Sequence, residues 1–230
     1  MLMINDDCLN AFKQIKDNSV DLIVTDPPYT MTKRGKSCRP NYMPDSMGDN
    51  LFDYELPDTK KWFSECYRVL KDDTHFYTFC NTNDIGNYLK IAEEVGFKLH
   101  NIITMIKDTH MPNRWYMKYC EFVLFFRKGD AKPIKDMGCR DYYYATMPTK
   151  KDGKFHITQK PLDFIEMMIN NSSDEYDTVL DPFMGSGTAG IACKKLNRDF
   201  IGFEIDENHY KTAKERIKQY NKKQLTNTLI

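Results

Sequence analysis

The sequence predicts a single α/β domain. Dense apolar runs of strand length alternate with amphipathic stretches of helical spacing. One such run turns through Gly185-Ser186-Gly187 directly into a helical stretch, and the next run ends in an acid, Glu204. A chain of 230 residues with 41% hydrophobic and 29% charged residues suits one globular core with room for a small insert.

The elements follow in order. Leu2 to Ile4 begins a short strand, and Leu9, Phe12 and Ile15 recur at helical spacing. Val20 to Thr25 is an apolar run stopped by Asp26-Pro27-Pro28-Tyr29, because proline fixes φ and lacks the N–H that a sheet ladder needs. From Thr30 to Leu56 the chain is polar and aperiodic, which predicts a loop at 30–56 of the kind kept for function and expected to move. Asp58 can cap a helix through Leu70, His75 to Cys80 reads as a buried strand, Asn83 to Val95 as a helix ended by Gly96, and Phe97 to Ile106 as a strand. Glu121 to Arg127 is another strand. The stretch from Lys128 to Phe155 reads as irregular and holds Tyr142-Tyr143-Tyr144. Helix resumes after Pro161, which suits a first helical position. Asp177 to Leu180 then leads as a strand into Asp181-Pro182-Phe183-Met184-Gly185-Ser186-Gly187-Thr188. A helix from Ala189 to Leu196, a strand from Phe200 to Phe203 and a basic amphipathic helix follow.

Composition excludes some function classes. No apolar run approaches the roughly 18 residues of a spanning helix, so no membrane partner is expected. The start, MLMINDDCLNAFKQ, lacks the basic flank and apolar core of a secretory leader, which predicts a cytoplasmic protein. The seven cysteines show no C-x-x-C pair and no histidine at zinc-finger distance, so they read as reduced, mostly buried thiols and no metal is expected. Basic and acidic residues balance at 33 each, but the charge is sorted along the chain. Lys33, Arg34, Lys36 and Arg39 stand in a stretch without an acid, and Lys150, Lys151 and Lys154 form a second basic stretch. Such patches can meet phosphates, although each alone also describes a solvated face.

The glycine loop has a clear physical use. A strand that turns through Gly-x-Gly into a helix lets the backbone approach a ligand closely, and an acid ending the next strand can bind both hydroxyls of a ribose. Gly185 to Gly190 also satisfies G-x-G-x-x-G, so a nicotinamide dinucleotide competes at this point. A triphosphatase loop does not, since no Gly-Lys-Ser/Thr follows.

Asp26-Pro27-Pro28-Tyr29 narrows the choice. An exocyclic amine on a nucleobase is a poor nucleophile because its lone pair is delocalised into the ring. The Asp26 carboxylate and the Pro27 carbonyl can accept both amine hydrogens and return electron density to nitrogen, while the prolines hold that carbonyl in direction. Tyr29 offers a face on which a base swung out of a duplex can stack. The zinc-deaminase pattern and the Pro-Cys of carbon methylation are both absent.

These residues resemble the amino-methyltransferases of DNA, in the permuted beta group where the catalytic motif precedes the cofactor motif. NSVDLIVTDPPY resembles the catalytic motif, HITQKP the segment before the cofactor strand, DPFMGSGT and GFEID the methionine and ribose sites, and Asp6-Asp7-Cys8 the element that meets the cofactor's adenine. The resemblance implies a Rossmann-like S-adenosylmethionine-dependent methyltransferase fold. Its sheet is seven-stranded and mostly parallel, with one antiparallel strand, helices on both faces and circularly permuted order. It also implies that Asp181, Pro182, Phe183, Gly185, Ser186, Gly187 and Thr188 surround the methionine part and that Lys160, beside Pro161, reaches its carboxylate. Glu204 and Ile205 then meet the ribose, Asp7 and Cys8 lie near the adenine, and Asp26 borders both cofactor and target. Asp before Pro-Pro-Tyr favours adenine N6 over cytosine N4. Ile157 departs from the proline often found there.

Target recognition is left to about 107–155 and the early loop, with Lys33, Arg34, Lys36, Arg39, Arg114, Lys118 and Arg140 as candidate contacts to double-stranded DNA. Analogy adds a homodimer and a cognate restriction endonuclease, neither of which the residues specify. Cytosine N4 and RNA adenine present a similar amine to the same acceptors. An inactive binding module and a dinucleotide-dependent oxidoreductase are the readings from other classes.

Overall fold

The computed structural model describes residues 1–28, 56–111, 115–147 and 159–220. Among them, eight strands form one sheet: β1 (Leu2–Asn5), β2 (Val20–Thr25), β3 (Leu70–Cys80), β4 (Lys98–Met111), β5 (Lys118–Arg127), β6 (Tyr142–Ala145), β7 (Thr178–Asp181) and β8 (Asp199–Glu204). Their order across the sheet is β1-β8-β7-β2-β3-β5-β4-β6. Every neighbouring pair is parallel except that β5 runs antiparallel to both β3 and β4. The single antiparallel strand is as expected, but the sheet has one strand more than seven. The tyrosine run, read as irregular, pairs with β4 through Thr104 to Lys107 and forms the edge. Consecutive tyrosines whose burial alternates along the strand suit a pleated, half-buried edge, and this pairing overrides the surrounding polarity.

Helices cover both faces: α1 (Cys8–Ala11), α2 (Thr59–Val69), α3 (Ile85–Val95), α4 (Leu162–Ser172), α5 (Thr188–Leu196) and α6 (Glu207–Gln219). Period-two alternation sorts the strands between two cores. Leu22, Val24, Tyr77, Phe79, Val123 and Phe125 pack with α4, α5 and α6. Ile23, Phe76, Leu124, Phe126 and Leu180 pack with Trp62 and Phe63 of α2.

Local signals set the helix ends. The Asp58 carboxylate accepts from the Lys61 N–H at 3.0 Å and caps α2, and Gly96 closes α3 at φ +113°. Pro161 is not the first helical residue. It is the cap of α4, with extended backbone at ψ 131°, and Leu162 begins the helix. Of the segment at 107–155, the described residues supply the end of β4 and all of β5 and β6, with 112–114 and 148–155 outside the described residues. Of the expected loop at 30–56, only Leu56 is described.

This topology fixes where a site can form. Strands β1, β8, β7, β2 and β3 share one direction, so Asn5, Glu204, Asp181, Thr25 and Cys80 end along the same edge. Open α/β sheets bind ligands at that edge. Antiparallel β5 brings its beginning, not its end, to the same place.

Candidate active site

Strands β2 and β7 are direct neighbours, with Leu22 opposite Val179 and Ile23 opposite Leu180. The Asp26-Pro27-Pro28 turn and the 181–188 loop therefore leave the sheet side by side. The Thr25 hydroxyl closes the seam, donating to Asp181 Oδ1 at 2.7 Å, and the Phe183 N–H donates to the same oxygen at 3.1 Å. Burial pushes the Asp181 carboxyl up to about 7. The two hydrogen bonds work against that rise, and nearby Asp26 and Glu204 add to it.

The loop is built around two glycines in the left-handed region. Gly185 has φ +49° and Gly187 has φ +80°. A Cβ on Gly187 would stand 2.9 Å from Ala213 Cβ of α6, so that glycine lets loop and helix close on each other. A Cβ on Gly185 would meet nothing within 4 Å. The loop is pinned to β8 by a bond from the Met184 N–H to the Phe203 carbonyl at 2.9 Å, and the Ser186 carbonyl accepts from Arg216. Pro182, Ser186 and Thr188 are buried in the turn, and Phe183 packs edge-on against Trp62 at 5.3 Å.

Glu204 ends β8 facing this loop. Its two oxygens accept from the Gly185 N–H and the Asp206 N–H, each at 2.9 Å. Burial raises its pKa, and those backbone donors and His209 temper the rise. Ile205 is exposed beyond it. On the far side Asp7 caps α1 by accepting from the Leu9 N–H at 2.9 Å. Cys8 is buried, and burial first, then the Asp7 charge, pushes its thiol up to about 12, so it stays a neutral thiol.

Lys160, just before Pro161 and α4, reaches the turn from the other core. Its ammonium lies 2.8 Å from Asp26 Oδ2, 3.0 Å from Glu121 Oε2 and 4.9 Å over the centre of the Phe79 ring. Burial alone would lower its pKa, but Asp26 and Glu121 outweigh it and raise the value, so the ammonium stays charged. Glu121 also pairs with Lys107 at 2.9 Å, and the two lysines hold its carboxyl below the usual value despite burial.

The structure thus brings together Asp7, Cys8, Asp26, Pro27, Lys160, Asp181, Phe183, Gly185, Gly187, Thr188 and Glu204 along one edge. Tyr29, Lys33, Arg34, Lys36, Arg39 and Arg114 lie outside the described residues. Lys118 is exposed at the start of β5, on the hairpin that projects past the site edge. Arg140 is not near the site. It precedes β6 on the far edge and lies over the Tyr142 ring, hydrogen-bonded to its hydroxyl. Sequence reasoning missed Thr25, Lys107 and Glu121. The available signal was an acid opening an otherwise apolar run at Glu121.

A family model described as DNA methylase matches residues 20–215. The type II methyltransferase M.HpaI of Haemophilus parainfluenzae is 34% identical over 94% of this chain and 73% of its own length. M2.DpnII of Streptococcus pneumoniae is 30% identical over 96% and 91%. In the solved M1.HpyAVI–SAM complex the likeness has TM-score 0.69 at 29% identity, covering 94% of this chain and 98% of that one. The cytosine-N4-specific PvuII DNA methyltransferase shares the fold with TM-score 0.72 at 17% identity, over 97% and 89%.

Proposed function

Because the chain belongs to the DNA methylase family and is thereby an S-adenosylmethionine-dependent amino-methyltransferase of DNA, we propose that its target is the N6 amine of an adenine swung out of double-stranded DNA. One observation carries the reading: the Asp26 turn and the glycine loop leave adjacent parallel strands, tied by the Thr25–Asp181 bond. Asp26, rather than serine, before Pro-Pro-Tyr supports adenine.

The residues fit the cofactor. A buried acid pair, Asp181 and Glu204, borders a loop whose Gly185 position would tolerate a neighbouring atom where a Cβ meets none, and charged Lys160 stands within reach of a carboxylate. Asp181, Pro182, Phe183, Gly185, Ser186, Gly187 and Thr188 would hold the methionine part, with Lys160 for its carboxylate. Glu204 would take the ribose hydroxyls, and Ile205, Asp7 and Cys8 would border the adenine ring. When bound, S-adenosylmethionine supplies an electrophilic methyl carbon on a positively charged sulfur.

The chain's own residues prepare the nucleophile. Asp26 and the Pro27 carbonyl accept the two hydrogens of the target amine and localise its lone pair, in a direction the prolines fix. Tyr29 stacks on the extruded base. Holding amine and methyl donor on neighbouring strand ends supplies the orientation that the step needs, and Asp26 receives the proton the amine sheds. Lys118, on the projecting hairpin, meets backbone phosphate.

Methylated nucleosides from treated DNA, separated by mass spectrometry, test this. N6-methyladenine is expected, N4-methylcytosine alone would replace adenine as the target, and no methylated amine would defeat the reading. Asp26→Ala should lower the rate by at least about a hundredfold while S-adenosylmethionine still binds in calorimetry.

A further inference from the structure

Four charges of alternating sign form a chain behind the catalytic turn: Asp26, Lys160, Glu121 and Lys107. The successive contacts are 2.8, 3.0 and 2.9 Å, and they join the end of β2, the approach to α4, β5 and β4. Lys160 and Lys107 are almost wholly buried, at 7% and 11% side-chain exposure. Burying such a cluster is costly unless each charge has a task or a partner.

We propose that Glu121 is a positioning residue for methyl transfer, braced by Lys107, that divides the Lys160 ammonium between two carboxylates and so keeps Asp26 available to the target amine. The assignment rests on the reading of Asp26 given above. The physical reason lies in the donor count. An ammonium has three N–H donors: one is left for the cofactor's carboxylate, and in a poorly screened site the other two, with Asp26 as their one partner, would fasten onto the carboxylate that must accept from the amine. A second carboxylate on the far side of Lys160 weakens that hold without moving the ammonium or removing its charge. Lys107 keeps Glu121 ionised and aimed. Glu121 sits opposite Met105 on β4, one residue past the last β3 pair, Cys80 with Phe122, so the brace is set by the β4–β5 pairing.

Glu121→Gln keeps a side-chain oxygen for Lys160 and removes the charge. Turnover should fall about tenfold or more, while the calorimetric dissociation constant for S-adenosylmethionine stays within about threefold of wild type or tightens, one negative charge having gone. Lys107→Met should give the same split at smaller amplitude, and Lys107→Arg should restore the rate. A role confined to folding would lower melting temperature, cofactor affinity and rate together. Wild-type turnover in Glu121→Gln, or loss of rate and cofactor affinity in proportion, overturns the assignment and leaves the adenine reading standing. Should Glu121→Gln fail to fold, a Lys107→Met protein without the split overturns it equally. A wild-type protein that binds the cofactor and methylates no DNA amine removes both.

Discussion

The Thr25 hydroxyl donates to Asp181 Oδ1 at 2.7 Å across 156 positions of sequence, and that bond joins the strand leading into the Asp26 turn to the strand leading into the glycine loop. Thr25→Val keeps the shape and leaves a fully buried carboxyl with one donor fewer. The expected cost is about 1–3 kcal/mol, read from urea denaturation, together with weaker S-adenosylmethionine binding. Unchanged stability and affinity would mean that the seam is held by the strand ladder alone.

Asp181 also sets a pH dependence. Its carboxyl titrates near 7 in the folded chain, against an ordinary value of 3.8. Between those values the folded state holds a proton that the unfolded state has lost, so this group's contribution to stability falls as pH rises from about 4 to 7 and is level above that. Asp181→Asn removes the contribution and keeps an oxygen for Thr25. Thermal melts of both proteins from pH 4 to 8 should therefore show the difference, wild type minus variant, declining through that window. A flat difference contradicts the raised value.

The two loop glycines should fail differently. Gly187→Ala drives a Cβ to 2.9 Å from Ala213 at a φ of +80°, so it should destabilise by more than about 1 kcal/mol. Gly185→Ala has the left-handed cost, about 1–2 kcal/mol, but its Cβ meets no protein atom within 4 Å. Its larger effect should appear in calorimetry as a several-fold loss of cofactor affinity. Equal losses of affinity per unit of lost stability in the two variants would show that the Gly185 side of the loop faces no ligand.

Lys118 and Arg140, both candidates for phosphate contact, are separated by the fold. Lys118→Ala should weaken DNA binding and reduce the salt slope by about one, whereas Arg140→Ala, on the far edge against Tyr142, should change neither. Fluorescence anisotropy over a salt series measures both, and an equal effect from the two would place DNA across the β6 edge instead.

Much of this was legible in the sequence because backbone needs leave residue signatures. The proline pair ends β2 where it must, Asp58 and Gly96 mark helix ends by capping, and Gly-x-Gly with Glu204 marks the loop that turns back onto the end of β8. The tyrosine strand was not legible, since an edge strand of four residues exists through its partner, Thr104 to Lys107, and carries little pattern of its own. Glu121 and Lys107 were hidden for a related reason. Each is unremarkable on its own strand, and only the antiparallel placement of β5 brings them to Lys160. Arg140 drew notice for its charge alone, and charge does not report which edge of a sheet a residue occupies.

The pairing of β2 with β7 also governs when this enzyme becomes an enzyme. At roughly 5–20 residues per second, Asp26 leaves the ribosome roughly eight to thirty seconds before Asp181, and the strand ending in Glu204 comes later still. A nascent chain carries the Asp26 turn early but has no glycine loop to set beside it, so methyl transfer to DNA must wait for β7 and β8 to dock.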